Sequence, residues 1–206
     1  MDFEIPDNWI ELQKCLHGNY DFNQEYDLFL KALDEAKKEN DIQRYIKENK
    51  KYFIPASIFK DYNLSGINSY IIPEKSLGSS YRVDYLLVSN NSLGPQFIFV
   101  EFEDVNVEYK QERKNSETFY VRKGLDQIRD WKCWLIENKD YFLKESKLDR
   151  FGKTNAGSIH FCLVVSRRKY MNDDVNNLRG FMMQGNLKII TYDHLADNIK
   201  SLEKGF

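Results

Sequence analysis

Cysteine, histidine, proline and glycine are all scarce in this chain of 206 residues, and so is any excess of positive charge. The three cysteines, Cys15, Cys133 and Cys162, are odd in number, far apart and set among apolar or aromatic neighbours. With no CxxC pair and only three histidines, neither a disulfide framework nor a zinc-finger spacing is available. The thiols read as buried and free, in a reducing compartment. Ten glycines and four prolines exclude a low-complexity or fibrous chain. No apolar run approaches the ~20 residues a membrane span requires. The start, MDFEIPDNWIELQ, has no basic segment followed by an apolar stretch, so it is not a secretion signal. A cytoplasmic protein with no membrane partner is expected. The formal charge of −2 argues against a module that grips nucleic acid through a basic excess. It argues less against a metal-dependent nuclease, whose acids gather at one site while basic groups line the rim.

Aromatic residues are abundant, at 15% of the chain with 14 Phe and 13 Tyr, within a hydrophobic fraction of 42%. That is enough apolar material for one ordered domain. From about Asn8 to Lys51 the apolar positions recur every three or four residues: Trp9, Leu12 and Leu16, then Tyr26, Leu28, Phe29, Leu33 and Ala36, then Ile42, Tyr45 and Ile46. This predicts two or three helices, with a break near His17-Gly18-Asn19 and the last running from Asp41 to Lys51. Ile67 to Ile72 reads as a short strand ending at Pro73. After the turn at Ser76 to Ser80, Tyr81 to Val88 and Phe97 to Glu103 read as a hairpin in the middle of a sheet, joined by Asn90 to Pro95. Both strands are apolar on both faces, the mark of a sheet covered on both sides.

The polar stretch Val105 to Asn115 reads as a loop, followed by a helix from Ser116 to about Asn138 with Val121, Leu125, Ile128, Trp131, Trp134 and Leu135 inward. A strand at Ile159 to Ser166, a helix at Asn172 to Met183, a strand at Leu187 to Tyr192 and a helix from His194 complete the pattern. The order predicts an α/β or α+β sandwich with a mixed sheet.

Three acids stand where acids are expensive. Asp84 interrupts an apolar strand, and Glu101 and Glu103 finish the next. Side chains two apart share a face of a strand, so Phe97, Phe99, Glu101 and Glu103 run from core into a polar cleft. The turn places Asp84 about level with Glu101. Three crowded carboxylates repel one another, so one or more takes a proton unless a cation sits among them. All-oxygen donors call for Mg²⁺ or Mn²⁺. Such an ion polarises a phosphate oxygen and acidifies water, and a neighbouring carboxylate orients or deprotonates that water. The spacing Asp-x16-Glu-x-Glu therefore suits phosphodiester hydrolysis.

The run of RVDYLLV, FIFVEFED, a polar loop and KGLDQIRDWKCWLIEN resembles the nuclease domain of the Shedu anti-phage defence proteins, a branch of the PD-(D/E)XK superfamily. Upstream, ENDIQRYIKENKKYFI looks like that family's first helix; downstream, IHFCLVVSRRKYMNDD and KIITYDHLADNI look like its later strands and last helix. The resemblance covers roughly residues 36 to 200. It implies a restriction-endonuclease-like fold over 36–206, preceded by a helical extension over 1–35. It also implies DNA as substrate, a homo-oligomer, and Asp84 and Glu101 as metal ligands. Glu103 stands where the superfamily commonly has Lys, so the positive charge beside the attacking hydroxide must come from water, metal or Lys123. Gln127 matches the helix glutamine of the superfamily, and Glu39 the acid of the first helix, an outer metal contact. The competing reading is a nuclease fold that no longer cuts and serves as a DNA-sensing or assembly module. A purely structural domain would need Asp84 neutralised by a neighbour such as Arg82, which a strand points the other way. Arg122 and the run Ser166-Arg167-Arg168-Lys169 are candidate backbone contacts or solvated surface. His160 reads as a core histidine, and Trp131 and Trp134 as packing anchors.

Overall fold

A computed structural model describes residues 5–16, 20–64, 68–92 and 94–204. The expected break at His17-Gly18-Asn19 and the first residue of the Ile67 to Ile72 strand lie outside them. A six-stranded sheet runs in the order β1 (Ile10–Glu11), β2 (Asn68–Leu77), β3 (Tyr81–Asn91), β4 (Gly94–Phe102), β5 (Ile159–Val164), β6 (Leu187–Ile190). The first four strands pair antiparallel, and β4–β5–β6 pair parallel. Parallel neighbours need a crossover. α5 (Phe119–Glu145) supplies it between β4 and β5, and α6 (Asp173–Met182) between β5 and β6.

Helices cover both faces. Ile98, Val100 and Phe102 of β4 pack with Phe29 and Leu33 of α2 (Phe22–Glu35), Ile42 and Ile46 of α3 (Glu39–Glu48), α4 (Phe53–Ala56), and Leu195 and Ile199 of α7 (Tyr192–Ser201). Phe97 and Phe99 point the other way, into a core with Val121, Ile128 and Trp131 of α5. This two-sided burial is why β3 and β4 are apolar nearly throughout, and it gives the mixed sheet flanked by helices that the sequence predicts. Among the described residues no helix is long and apolar enough to cross a membrane.

Some elements differ from expectation. The first 35 residues are not helical alone: β1 adds a strand to the sheet, and Leu12 of α1 (Leu12–Leu16), Phe29 and Leu33 share the core with residues far along the chain. Two residues are too few to show a period of two, so β1 leaves no sequence signal. β2 continues through Pro73 to Leu77, because β1 covers only Tyr70 and Ile71 and a proline is tolerated on the uncovered stretch. α5 runs seven residues past Asn138, carried by the buried Phe142 and Leu143. Cys162 is buried as expected, but Cys133 is exposed on α5, facing away from the stripe of Ile128, Trp131 and Leu135.

Candidate active site

The sheet splits at the acids. The β3–β4 ladder is intact from Asn91↔Gly94 to Tyr85↔Val100 and stops there, one residue short of Asp84 and Glu101. On the other side of β3, pairing with β2 runs Pro73↔Tyr85 and resumes at Lys75↔Val83, leaving out the Glu74–Asp84 level, where Glu74 has φ +51°. Asp84 therefore sits at a break in both ladders. Its Oδ2 accepts the Phe102 N–H at 2.8 Å, replacing the lost rung and fixing the carboxyl between the two strand ends. Arg82, the neighbour that could have neutralised it, instead lies 3.5 Å from Glu74.

Two elements close over this split from opposite faces. The Asp104 carboxylate accepts the Glu39 N–H at 2.8 Å, docking the start of α3 onto the segment that follows β4. Glu39 and Gln43, four residues apart and hence on one helix face, are aimed at the acids, and Gln43 hydrogen-bonds Asp84. From the other side, the Lys123 ammonium of α5 donates to Glu39 Oε2 and Glu103 Oε2, each at 3.0 Å. Gln127 lies one turn further along the same stripe, with its Oε1 buried and unpartnered. Gly124 lets α5 come this close: a Cβ there would stand 2.5 Å from Leu163 Cδ1 and 2.9 Å from Glu103 Cγ. The Glu103 backbone is held by the Tyr192 hydroxyl, donating to its carbonyl at 2.7 Å, and by its own N–H to Val164 O at 2.9 Å.

The charge balance is lopsided. Burial pushes the Glu101 carboxyl up to about 10, and the charges of Asp84, Glu103 and Glu39 add to the effect. Burial likewise raises Asp84 to about 6, against the Phe102 N–H that holds its anion. It raises Glu103 to about 8, although Lys123 pulls the other way. Burial disfavours the Lys123 ammonium, but the hydrogen bonds to Glu39 and Glu103 outweigh that and hold it charged. One ammonium does not neutralise four carboxyls, so in the absence of another cation the site takes up protons. Glu103 is fully buried, and its Oε1 has no hydrogen-bond partner.

The donors fit a hard divalent cation in kind: they are carboxyl oxygens on two strand ends and a helix start, and a buried carboxyl oxygen of Glu103 stands unpartnered among them. Among the described residues no group of three or more His, Cys, Asp or Glu side chains is arranged to hold a metal as it stands. An ammonium lies between two of these acids instead. Asp84, Glu101 and Glu39 are the residues that would hold the ion.

Asp84, Glu101, Glu103, Glu39 and Lys123 lie close enough to act on one another's charge, and Gln127 lies one helical turn beyond Lys123. Gln43, Asp104 and Gly124 were missed. Gln43 could have been found as the residue four after Glu39, but nothing in the chain singles out Asp104 or Gly124. The basic run after β5 lies elsewhere. Arg167 is buried against Asp193 and Asp34, Arg168 pairs with Asp197, and Arg122 pairs with Glu117. His160 is half-buried, 3.2 Å from Gln96 Oε1, with its imidazolium disfavoured by burial. Trp131 is buried in the core and Trp134 packs over Gly78.

Comparison with known proteins adds a family. The family model "Shedu protein SduA, C-terminal" matches residues 36–196, more than three-quarters of the chain. No curated protein matches. Among solved structures, the restriction endonuclease FokI bound to DNA is similar at a TM-score of 0.43 and 12% identity, over 91% of this chain and 31% of that one.

Proposed function

The chain belongs to the family of Shedu SduA C-terminal domains, and from that premise we propose that it is a metal-dependent DNA endonuclease of the PD-(D/E)XK type acting in anti-phage defence. The observation that carries the reading is the convergence of Asp84, Glu101 and Glu103 where the sheet splits, with a buried oxygen of Glu103 unpartnered. Buried carboxyls left short of counter-charge destabilise a fold, so their presence suits a site that is completed by a cation. Asp84 and Glu101 would hold Mg²⁺ or Mn²⁺, with Glu39 as an outer contact. That ion supplies Lewis-acid polarisation of a phosphate oxygen and a more acidic water.

The chain's own residues do the rest. Glu103 orients the attacking water and takes its proton as the new P–O bond forms and the ester P–O bond breaks. The leaving oxygen departs as a hydroxyl once protonated from solvent. Lys123 supplies the positive charge that Glu103 does not, and Gln127 steadies the water or the phosphate. Asp104 and Gly124 act through others: the first sets where α3 begins, the second how near α5 lies. A homo-oligomer, carried by the family resemblance alone, working in the cytoplasm, as the free thiols suit, completes the proposal.

A second reading has an observation in its favour. Lys123 already bridges two of the acids, as it would in a nuclease fold that keeps its shape and serves to sense DNA or to assemble. Cleavage of linear and supercoiled plasmid with Mg²⁺ or Mn²⁺ decides between them. The nuclease cuts, and Asp84→Ala and Glu101→Ala both abolish cutting. No cutting with either metal, together with no Mn²⁺ heat in titration calorimetry, leaves the sensing or assembly module.

A further inference from the structure

Lys123 is an unusual occupant for a site built of hard oxygens. Its ammonium enters from α5, on one face of the sheet, and joins Glu39 at the start of α3, on the other, to Glu103 at the end of β4. The lysine side chain is 42% exposed, whereas Glu103 beneath it is 0% exposed. The cation therefore reaches inward from solvent, and its way out is open. It satisfies Glu103 only in part: Oε2 is bonded at 3.0 Å while Oε1 is buried without a partner.

We propose that Lys123 is a tethered counter-ion, holding Glu39 and Glu103 together in the metal-free site and leaving them when a divalent cation binds among the acids. This rests on the nuclease reading in that a divalent cation is taken as the site's occupant. An ammonium carries one charge and donates in three directions. A divalent ion doubles the Coulomb attraction at equal distance and takes about six oxygens, so it outcompetes the ammonium for Glu39 and leaves the Glu103 contact without its second anchor. The long flexible stem lets the ammonium withdraw without moving α5. The displacement has a consequence for the chemistry. It releases Glu103 Oε2 to address water and frees a cation at the rim for a phosphate, so cation binding and exposure of the base become one event.

Two measurements test this with Mn²⁺ alone as probe, neither of them an activity. Titration calorimetry compares wild type with Lys123→Met, which keeps the stem and removes the charge; the variant is expected to bind Mn²⁺ about tenfold more tightly, a typical coupling between competing ligands. Amine labelling read by mass spectrometry compares wild type with and without Mn²⁺. Labelling of Lys123 is expected to rise severalfold while Lys132, further along the same helix, stays unchanged. The second needs no variant, so a Lys123→Met protein that fails to fold does not rescue the idea. Mn²⁺ bound with equal affinity by both proteins, or bound by wild type with Lys123 labelling unchanged or lower, overturns the proposal and leaves the nuclease reading standing. Mn²⁺ bound by neither protein brings down both.

Discussion

Among the described residues, the charges around Arg167 and those around Glu103 are built on opposite terms. In one, the Arg167 guanidinium donates from Nε and Nη2 to the two oxygens of Asp193, at 2.9 and 3.0 Å, and from Nη1 to Asp34 at 2.9 Å. The Arg168 N–H adds a bond to Asp193 at 2.7 Å. Burial works against the Asp193 anion, but Arg167 and the Arg168 N–H outweigh it and hold the carboxyl below its ordinary value. The other cluster sets Asp84, Glu101, Glu103 and Glu39 against Lys123, with Asp84, Glu101 and Glu103 pushed up and Glu103 Oε1 unpartnered. The first ties α2 and α7 to the loop after β5. The second ties elements together only in part and leaves ligand capacity over. What separates the brace from the site is whether the charges are satisfied: Arg167 is matched by two acids, one of which also takes a backbone N–H, whereas Glu103, wholly buried, keeps an oxygen without a partner.

The largest expected effect comes from breaking the brace. Arg167→Met removes one partner of a largely buried, bidentate pair and leaves Asp193 only the Arg168 N–H. The cost is about 3–5 kcal/mol, a fall of roughly 10 °C in melting temperature for a domain of this size. Cleavage by the protein that remains folded should be unchanged, because Arg167 has no part in the split of the sheet. A melting curve with a plasmid assay below the transition checks both halves. A variant that melts normally but cuts poorly would place Arg167 on the DNA and erase the contrast between the clusters.

The clusters should also answer pH with opposite signs. For Asp193, whose folded value lies below the unfolded one, stability is full above the ordinary carboxylate range and is lost as pH falls through the folded value. For Glu101, Glu103 and Asp84 the folded values lie above the ordinary ones, so the folded state holds more protons. Their contribution is present at low pH and is lost as pH rises towards about 6 for Asp84, about 8 for Glu103 and about 10 for Glu101. Metal-free protein in chelator should therefore lose stability on the order of 2 kcal/mol between about pH 6 and pH 8. Glu101→Gln, neutral throughout, should reduce that slope to the share that Glu103 contributes, and saturating Mn²⁺ should oppose it in wild type because the bound ion favours the anions. Denaturant midpoints across the range measure it. A wild-type slope that rises with pH in chelator would mean the acids are already compensated.

This contrast was half legible in the sequence. Asp84, Glu101 and Glu103 announce themselves because an acid in an apolar strand is a local anomaly that periodicity exposes. Arg167 and Arg168 look like a basic patch for the same kind of reason: the run is local, but the partners are Asp34, Asp193 and Asp197, distant in the chain and invisible until the fold brings α2 and α7 together. The central hairpin and its place in a covered sheet were readable from two strands apolar on both faces. β1 was not, since its two residues owe their pairing to the edge that β2 offers. Lys123 could be proposed as a helper from its position on the helix, but not its bridge from α5 to α3, which depends on the close approach of α5 to the sheet.

That approach depends on Gly124, which gives the smallest effect and the finest test. In an exposed helix Gly124→Ala would stabilise by up to about 1 kcal/mol, since alanine loses less backbone entropy. Here the added methyl meets Leu163 Cδ1 at 2.5 Å and Glu103 Cγ at 2.9 Å. Leu163 is packed inside β5 and Glu103 is fixed at both ends of its peptide, so α5 has to move outward. Overpacking of this kind costs about 1–3 kcal/mol, enough to reverse the sign of the propensity gain. The shift also draws Lys123 and Gln127 away from the acids. Gly124→Ala is therefore expected to lower the melting temperature by a few degrees and cleavage by more than that loss explains, while Gly180→Ala in α6, where a Cβ meets nothing within 4 Å, leaves cleavage unchanged. Should Gly124→Ala raise stability and leave cleavage intact, α5 would have room to spare over Glu103, and the bridge from Lys123 would not depend on its neighbour.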